Sequence, residues 1–322
     1  MHPCIKFFSE KELSPPPSQE AAELFKPQWE NHSMKPPMVD EEHPPHIKLL
    51  KDLEIPAVAD IHCHFFPEHI LKLIWRFFDT SYWPIAYRIN EAERLQALER
   101  NEVRYFTTLN YAHKPGMAAS LNSWVSENLK RWPGSVPFGT FFPEPGAFDY
   151  VKTAIEDYSF KGFKLHCQVS DIDLNDARLA ATFDLLQEND QVLVVHCGTA
   201  PTPGRFTGAQ FFERFIKRYP RLRVIVAHMG AFEIDEFLSF FNDYENMMLD
   251  TTMVFVDFKI TNQNLDHVFE VIDKNSERIL FGSDFPNIPY NLSHPVTHLI
   301  EAPLGKIAKQ NILYRNFEKM LL

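Results

Sequence analysis

Gln191-Val192-Leu193-Val194-Val195-His196-Cys197-Gly198 is an apolar run of strand length that stops at a histidine and then a glycine. Thirty-two residues later Arg223-Val224-Ile225-Val226-Ala227-His228-Met229-Gly230 repeats the arrangement. A strand buried on both faces has no use for an imidazole in its middle, so a histidine at its end belongs to the rim of the sheet. The interval matches one strand, one helix and two loops. Outward from this pair, further strands are expected to end near His62, Leu109, Phe142, Leu165, Leu249 and Asp284, which makes eight. Amphipathic periods between them predict helices over 90–101, 116–131, 148–158, 176–189, 208–219, 233–244 and 265–274. Eight such units define an α/β chain folded as a (β/α)8 TIM barrel over residues 57–322. Residues 1–56, interrupted by Pro15-Pro16-Pro17, Pro36-Pro37 and Pro44-Pro45, are expected to form an extended Pro-rich N-terminal arm, for packing or for contact with a partner.

Composition narrows the function. The 322 residues are 45% hydrophobic and 23% charged, which excludes a disordered chain. Forty-three acidic against 32 basic residues give a net charge of −11 and a pI near 5.7, which would repel a polyphosphate, so no nucleic-acid partner is expected. No stretch reaches the roughly 20 apolar residues of a membrane span. The first residues lack a signal-peptide pattern, so a cytoplasmic protein acting on a small molecule, with no membrane partner, is expected. Cys4, Cys63, Cys167 and Cys197 form no CxxC pair and read as reduced structural thiols. Eleven Gly against 29 Phe suggest a tight apolar pocket or interface.

The strand ends carry the chemistry. In Val58-Ala59-Asp60-Ile61-His62-Cys63-His64 the period of two sets His62 and His64 on one side, facing into the barrel, and turns Cys63 away. Arg278-Ile279-Leu280-Phe281-Gly282-Ser283-Asp284-Phe285-Pro286 delivers a carboxylate to the same rim. Neutral imidazoles with a carboxylate suit zinc and neighbouring divalent ions, and the absence of clustered thiolates excludes a structural sulfur site.

The order HxH, HCG, AHMG and GSDFP, with Gly162-Phe163-Lys164-Leu165-His166 and the closing Asn311-Ile312-Leu313-Tyr314-Arg315-Asn316, resembles the amidohydrolase superfamily. Within it the chain is most similar to the branch containing aminocarboxymuconate semialdehyde decarboxylase and related metal-dependent hydrolases. The resemblance runs from about Ala57 to the C-terminus. It implies that His62, His64, His196 and Asp284 are metal ligands, and that His228 ligates a second ion or hydrogen-bonds the metal-bound water. Asp284 and His228 are then the catalytic pair, Asp284 moving the proton of water. Zinc is the first choice of ion and manganese the second, with one ion expected rather than two. Lys164 decides the count, since related binuclear enzymes bridge two ions with a carboxylated lysine on the fourth strand. Lys164 and His166 otherwise serve the substrate, for instance by pairing with its carboxylate.

Phe66, Trp83, Tyr87, Arg88, Tyr111, His113, Glu144 and Arg205 fall on or after strand ends, where barrel loops build pockets. Arg88, Tyr111 and Arg205 are the substrate-binding candidates, the arginines because they can grip a carboxylate with two bonds. Asp250 either orients a ligand histidine or caps a helix. The expected activity is hydrolysis of an ester, lactone or amide of a small carboxylated or aromatic molecule. Its rivals are nonoxidative decarboxylation of an aromatic or conjugated acid on the same ion, and a barrel kept only for binding. A homodimer is the default assembly for such enzymes.

Overall fold

The computed structural model describes residues 44–80, 83–256 and 266–322. Nine short strands run parallel: β1 (Val58–Asp60), β2 (Val103–Thr107), β3 (Ser135–Val136), β4 (Phe138–Thr140), β5 (Gly162–His166), β6 (Val192–His196), β7 (Arg223–Val226), β8 (Met247–Asp250) and β9 (Ile279–Leu280). They form a three-stranded sheet, β1-β2-β3, and a six-stranded one, β4 to β9 in order. Pro137 separates β3 from β4 because it has no N–H to give to a ladder. Thr108 N–H still reaches Val136 O and Lys161 N–H reaches Pro137 O, so β3 and β4 together make one stave, the third of eight. The circle closes where Ile61 N–H donates to Phe281 O at 2.9 Å and Asp284 N–H donates to His62 O at 2.9 Å. This is a (β/α)8 barrel.

The helices are α1 (His46–Asp52), α2 (Glu68–Thr80), α3 (Glu91–Arg100), α4 (Ala118–Asn128), α5 (Ala147–Glu156), α6 (Ala180–Glu188), α7 (Ala209–Arg218), α8 (Ile234–Ser239), α9 (Asp266–Lys274), α10 (Ser293–Glu301), α11 (Lys306–Gln310) and α12 (Asn316–Leu321). Each expected helical segment coincides with one of α3 to α9, α5 starting one residue before its segment. The start of α3 shows why its boundary was readable: Asn90 accepts from Glu93 N–H, and the Glu93 side chain accepts from Asn90 N–H, a reciprocal cap.

Two expectations need correction. Most of the arm, residues 1–43, lies outside the described residues, but its end is not extended. His46 and Leu50, one turn apart, are the buried face of α1, and His46 Nε2 meets Asn101 O at 3.0 Å while Gln310 Nε2 donates to Leu53 O. The second concerns the phenylalanines: Phe66 stands at the barrel mouth beside His64 and Tyr111, but a larger group lies in the core. Phe141, Phe163, Phe183, Phe212, Phe215 and Phe237 are fully buried and touch one another in the layer between strands and helices. Each contributes about 1.5–3 kcal/mol of hydrophobic stabilisation there. Among the described residues, no helix is long and apolar enough to cross a membrane.

Candidate metal centre

His62 and His64 follow β1 and Asp284 follows β9, so the closure of the barrel brings them together. His64 Nε2 lies 2.9 Å from Asp284 Oδ1, and His62 Nε2 lies 3.5 Å from the same oxygen. One ligand atom from each of the three fits within 4.8 Å of the others. Two donors bound to one ion at about 2.1 Å and near tetrahedral or octahedral angles sit about 3.0–3.4 Å apart, so this spacing suits a single ion. Asp284 takes φ +70°, a left-handed conformation that costs an L-residue energy and that its backbone contacts to His62 O and from Asn287 N–H hold in place.

Two buried aspartates hold this corner. Asp250 Oδ2 bonds His62 Nδ1 at 2.9 Å, and its Oδ1 accepts from His228 N–H at 2.8 Å and Thr252 N–H at 3.1 Å. A carboxylate can only accept, so the His62 proton sits on Nδ1 and the Nε2 lone pair faces Asp284. This favours the orienting role over the helix cap for Asp250. Asp60, which the sequence reading passed over, accepts from His62 N–H at 2.9 Å, Ser283 N–H at 3.1 Å and Cys63 Sγ at 3.1 Å, locking β1 to the turn that carries Asp284. A carboxylate two residues before the first histidine, in an otherwise apolar strand, was the available signal.

The other two expected histidines continue round the rim, His228 with its ring 5.1 Å from that of His62 and His196 with its ring 4.7 Å from that of His228. His196 Nε2 donates to Ala200 O at 2.9 Å, which leaves its lone pair on Nδ1, and its ring stacks on His166 at 4.0 Å and 12°. It is not one of the three side chains whose ligand atoms converge. His228 Nδ1 donates to Thr252 O at 3.2 Å and begins a left-handed turn, with φ of +56°, +50°, +80° and +56° from His228 to Ala231. Gly230 is obligatory in that turn, since a Cβ there would lie 1.9 Å from the Phe237 ring.

Burial, reinforced by neighbouring positive groups, pushes the His62, His166, His196 and His228 rings toward the neutral form, His228 down to about 4. Burial alone would raise the Asp284 carboxyl, but the His64 hydrogen bond and the three nearby imidazoles outweigh it and hold the group below the usual carboxylate range. Lys164 is fully buried, with Nζ 3.3 Å from His62 Nε2, and burial lowers it to about 8. Neutral imidazoles beside an ionised carboxylate are the protonation states that ligation requires.

Among the substrate candidates, Tyr111 is packed against His64, Phe66, His113 and His166. Arg205 is exposed on the loop after β6, its guanidinium 4.8 Å over the Phe206 ring. Arg88 pairs with Asp79 at the end of α2 and donates to Trp75 O. Trp83 and Tyr87 are structural, donating to Asn287 O and accepting from Leu292 N–H respectively. Glu144 ties its loop to the one after β2 by accepting from Gly116 N–H, and also accepts from the Tyr150 hydroxyl. Cys63, Cys167 and Cys197 are buried free thiols, as expected.

The profile of the amidohydrolase family matches residues 59–321, and the chain belongs to that family. No curated protein matches it by sequence. Solved structures show the same fold. An uncharacterised TIM-barrel protein of Bordetella bronchiseptica superposes with a TM-score of 0.68 at 16% identity, covering 82% of this chain and 98% of its own. A 5-carboxyvanillate decarboxylase of Novosphingobium aromaticivorans, complexed with manganese and 4-hydroxy-3-methoxy-5-nitrobenzoic acid, does so at 0.61 and 12%, covering 89% and 99%. Dihydroorotase of Campylobacter jejuni gives 0.54 and 15%, covering 82% and 83%.

Proposed function

We propose that this chain is a metal-dependent hydrolase that cleaves an ester, lactone or amide bond in a small carboxylated or aromatic molecule. The observation that supports it best is the convergence of His62, His64 and Asp284 ligand atoms at the barrel mouth, with the Asp284 side chain 15% exposed on the open side. These three residues would hold one divalent ion, zinc or manganese, with His196 Nδ1 nearby as a further donor. When bound, the ion supplies an acidified water and a positive charge for a carbonyl oxygen. Asp284 accepts the proton of the attacking water and returns it to the leaving oxygen or nitrogen. His228, neutral and with its lone pair on Nε2, hydrogen-bonds the water and orients it. Lys164 adds positive charge beneath the centre, favouring an anionic substrate.

A second reading, nonoxidative decarboxylation, is supported by the fit to the manganese-bound decarboxylase over 99% of that chain. Decarboxylation needs an arginine on the substrate carboxylate; Arg88 is committed to Asp79, which leaves Arg205, on the loop after β6, as the candidate for that reading, and hydrolysis, which does not depend on it, is placed first.

Elemental analysis of zinc-loaded wild type and His62→Ala, with a screen of aromatic lactones and esters, tests the proposal. About one ion per chain is expected in the wild type and none in the variant. Acid release without carbon dioxide supports hydrolysis, carbon dioxide release transfers the case to the second reading, and a wild type that binds no ion overturns both.

A further inference from the structure

Six rings close a circuit around the barrel mouth. Between centroids, His62 lies 5.0 Å from His64, His64 5.6 Å from Tyr111, and Tyr111 5.0 Å from His166. His166 lies 4.0 Å from His196, His196 4.7 Å from His228, and His228 5.1 Å from His62 again. The His62–His64 arc carries the convergent donor atoms. The opposite arc, Tyr111 and His166, takes no part in that set.

The polar atoms of this second arc are fixed by their neighbours. Val169 N–H donates to His166 Nδ1 at 3.3 Å. A backbone N–H can only donate, so Nδ1 is unprotonated and the ring carries its single proton on Nε2. That ring cannot swing, because it is stacked on His196. Tyr111 is wedged between Phe66 and His113, both rings 5.1 Å away, and its hydroxyl has no hydrogen-bond partner among the described residues. Elsewhere in the circuit each ring spends its one N–H, His62 Nδ1 on Asp250, His64 Nε2 on Asp284, His196 Nε2 on Ala200 O and His228 Nδ1 on Thr252 O, which leaves lone pairs there but no donor. Two adjacent donors are thus held rigid and left over, and neither carries a charge of its own that a protein carboxylate neutralises.

Resting on the metal-centre reading, we propose that Tyr111 Oη–H and His166 Nε2–H form a donor pair for the carboxylate of a planar substrate whose reacting group lies on the His62–His64–Asp284 side. Two donors match the two oxygens of a carboxylate, and the flanking rings match a flat body. The pair fixes the distance from carboxylate to reacting group, so it selects among acids by where their second functional group lies.

The test uses the full-length zinc-loaded protein, Tyr111→Phe and His166→Phe, with 2-hydroxybenzoate and the neutral 2-hydroxybenzamide as calorimetric probes. Each substitution keeps a ring in the circuit and removes the donor. Ion content reads the metal centre separately. The expected result is unchanged ion content, about tenfold weaker binding of the acid in each variant, and little change for the amide. Wild-type affinity for the acid in Tyr111→Phe, which removes one oxygen and leaves the packing in place, overturns the pair. So does a wild type that binds ion but not the acid. Loss of the ion in His166→Phe also overturns it, by assigning His166 to the metal centre.

Discussion

His62 and His64 are gripped by side chains, whereas His196 and His228 are gripped by main chain. On the first side three carboxylates, Asp60, Asp250 and Asp284, fix the two rings and the turn between β9 and Asp284. On the second side the imidazoles lean on Ala200 O and Thr252 O, and His228 itself opens a left-handed run. Carboxylate contacts set both ring orientation and charge, so the first side is built to hold a cation. Carbonyl contacts set orientation with little charge, which suits groups that must follow a substrate. The sides communicate through Asp250, whose two oxygens serve His62 and the His228 backbone.

Asp250→Asn attacks that link and has the largest expected effect. The asparagine oxygen must go on accepting from His228 and Thr252 N–H, so its NH2 faces His62 Nδ1 and drives the His62 proton onto Nε2, the wrong atom for ligation. Zinc affinity by titration calorimetry should fall about 10–100-fold with the far-ultraviolet spectrum unchanged. Unchanged affinity would show that the gripping carboxylate does not govern the ring.

Glu233→Gln probes the second side. Glu233 accepts from Thr199 N–H at 3.2 Å and Ala209 N–H at 3.1 Å, tying the loop after β6 to the stretch that follows His228. Removing one acceptor should cost about 1 kcal/mol and lower the melting temperature by roughly 2–4 °C. Zinc affinity should not move; a matching loss of zinc would erase the distinction between the sides. Arg88→Ala is the smallest change: its ion pair is solvent-exposed, so less than about 1 kcal/mol is expected in chemical denaturation, and a larger loss would give Arg88 a role the structure does not show.

The barrel was legible because its signals are local and repeated: apolar runs of one length, a fixed interval, and a polar residue at each end. The same regularity put His62, His64, His196, His228 and Asp284 on one rim. What escaped depends on tertiary partners. Nothing near Arg88 in its own strand or loop announces that the end of α2 returns Asp79 to it. Asp60 was visible as a carboxylate in an apolar strand and Asp250 as an orienting group or a cap, but which backbone and which ring each one grips follows only once the barrel brings the ends of β1, β8 and β9 together. Pro137 was visible as a residue, but its division of the third stave follows from which carbonyls the neighbouring strands need.

The two sheets of the barrel meet at two seams, one at Pro137 and one between β9 and β1. The convergent ligand atoms lie across the second, two from just beyond the smaller sheet and one from just beyond the larger. A cation seated there would act as a rivet, joining the edges of the sheet where regular pairing has run out. Loading the centre would then do mechanical as well as chemical work, and metal-free chain should open first along that seam.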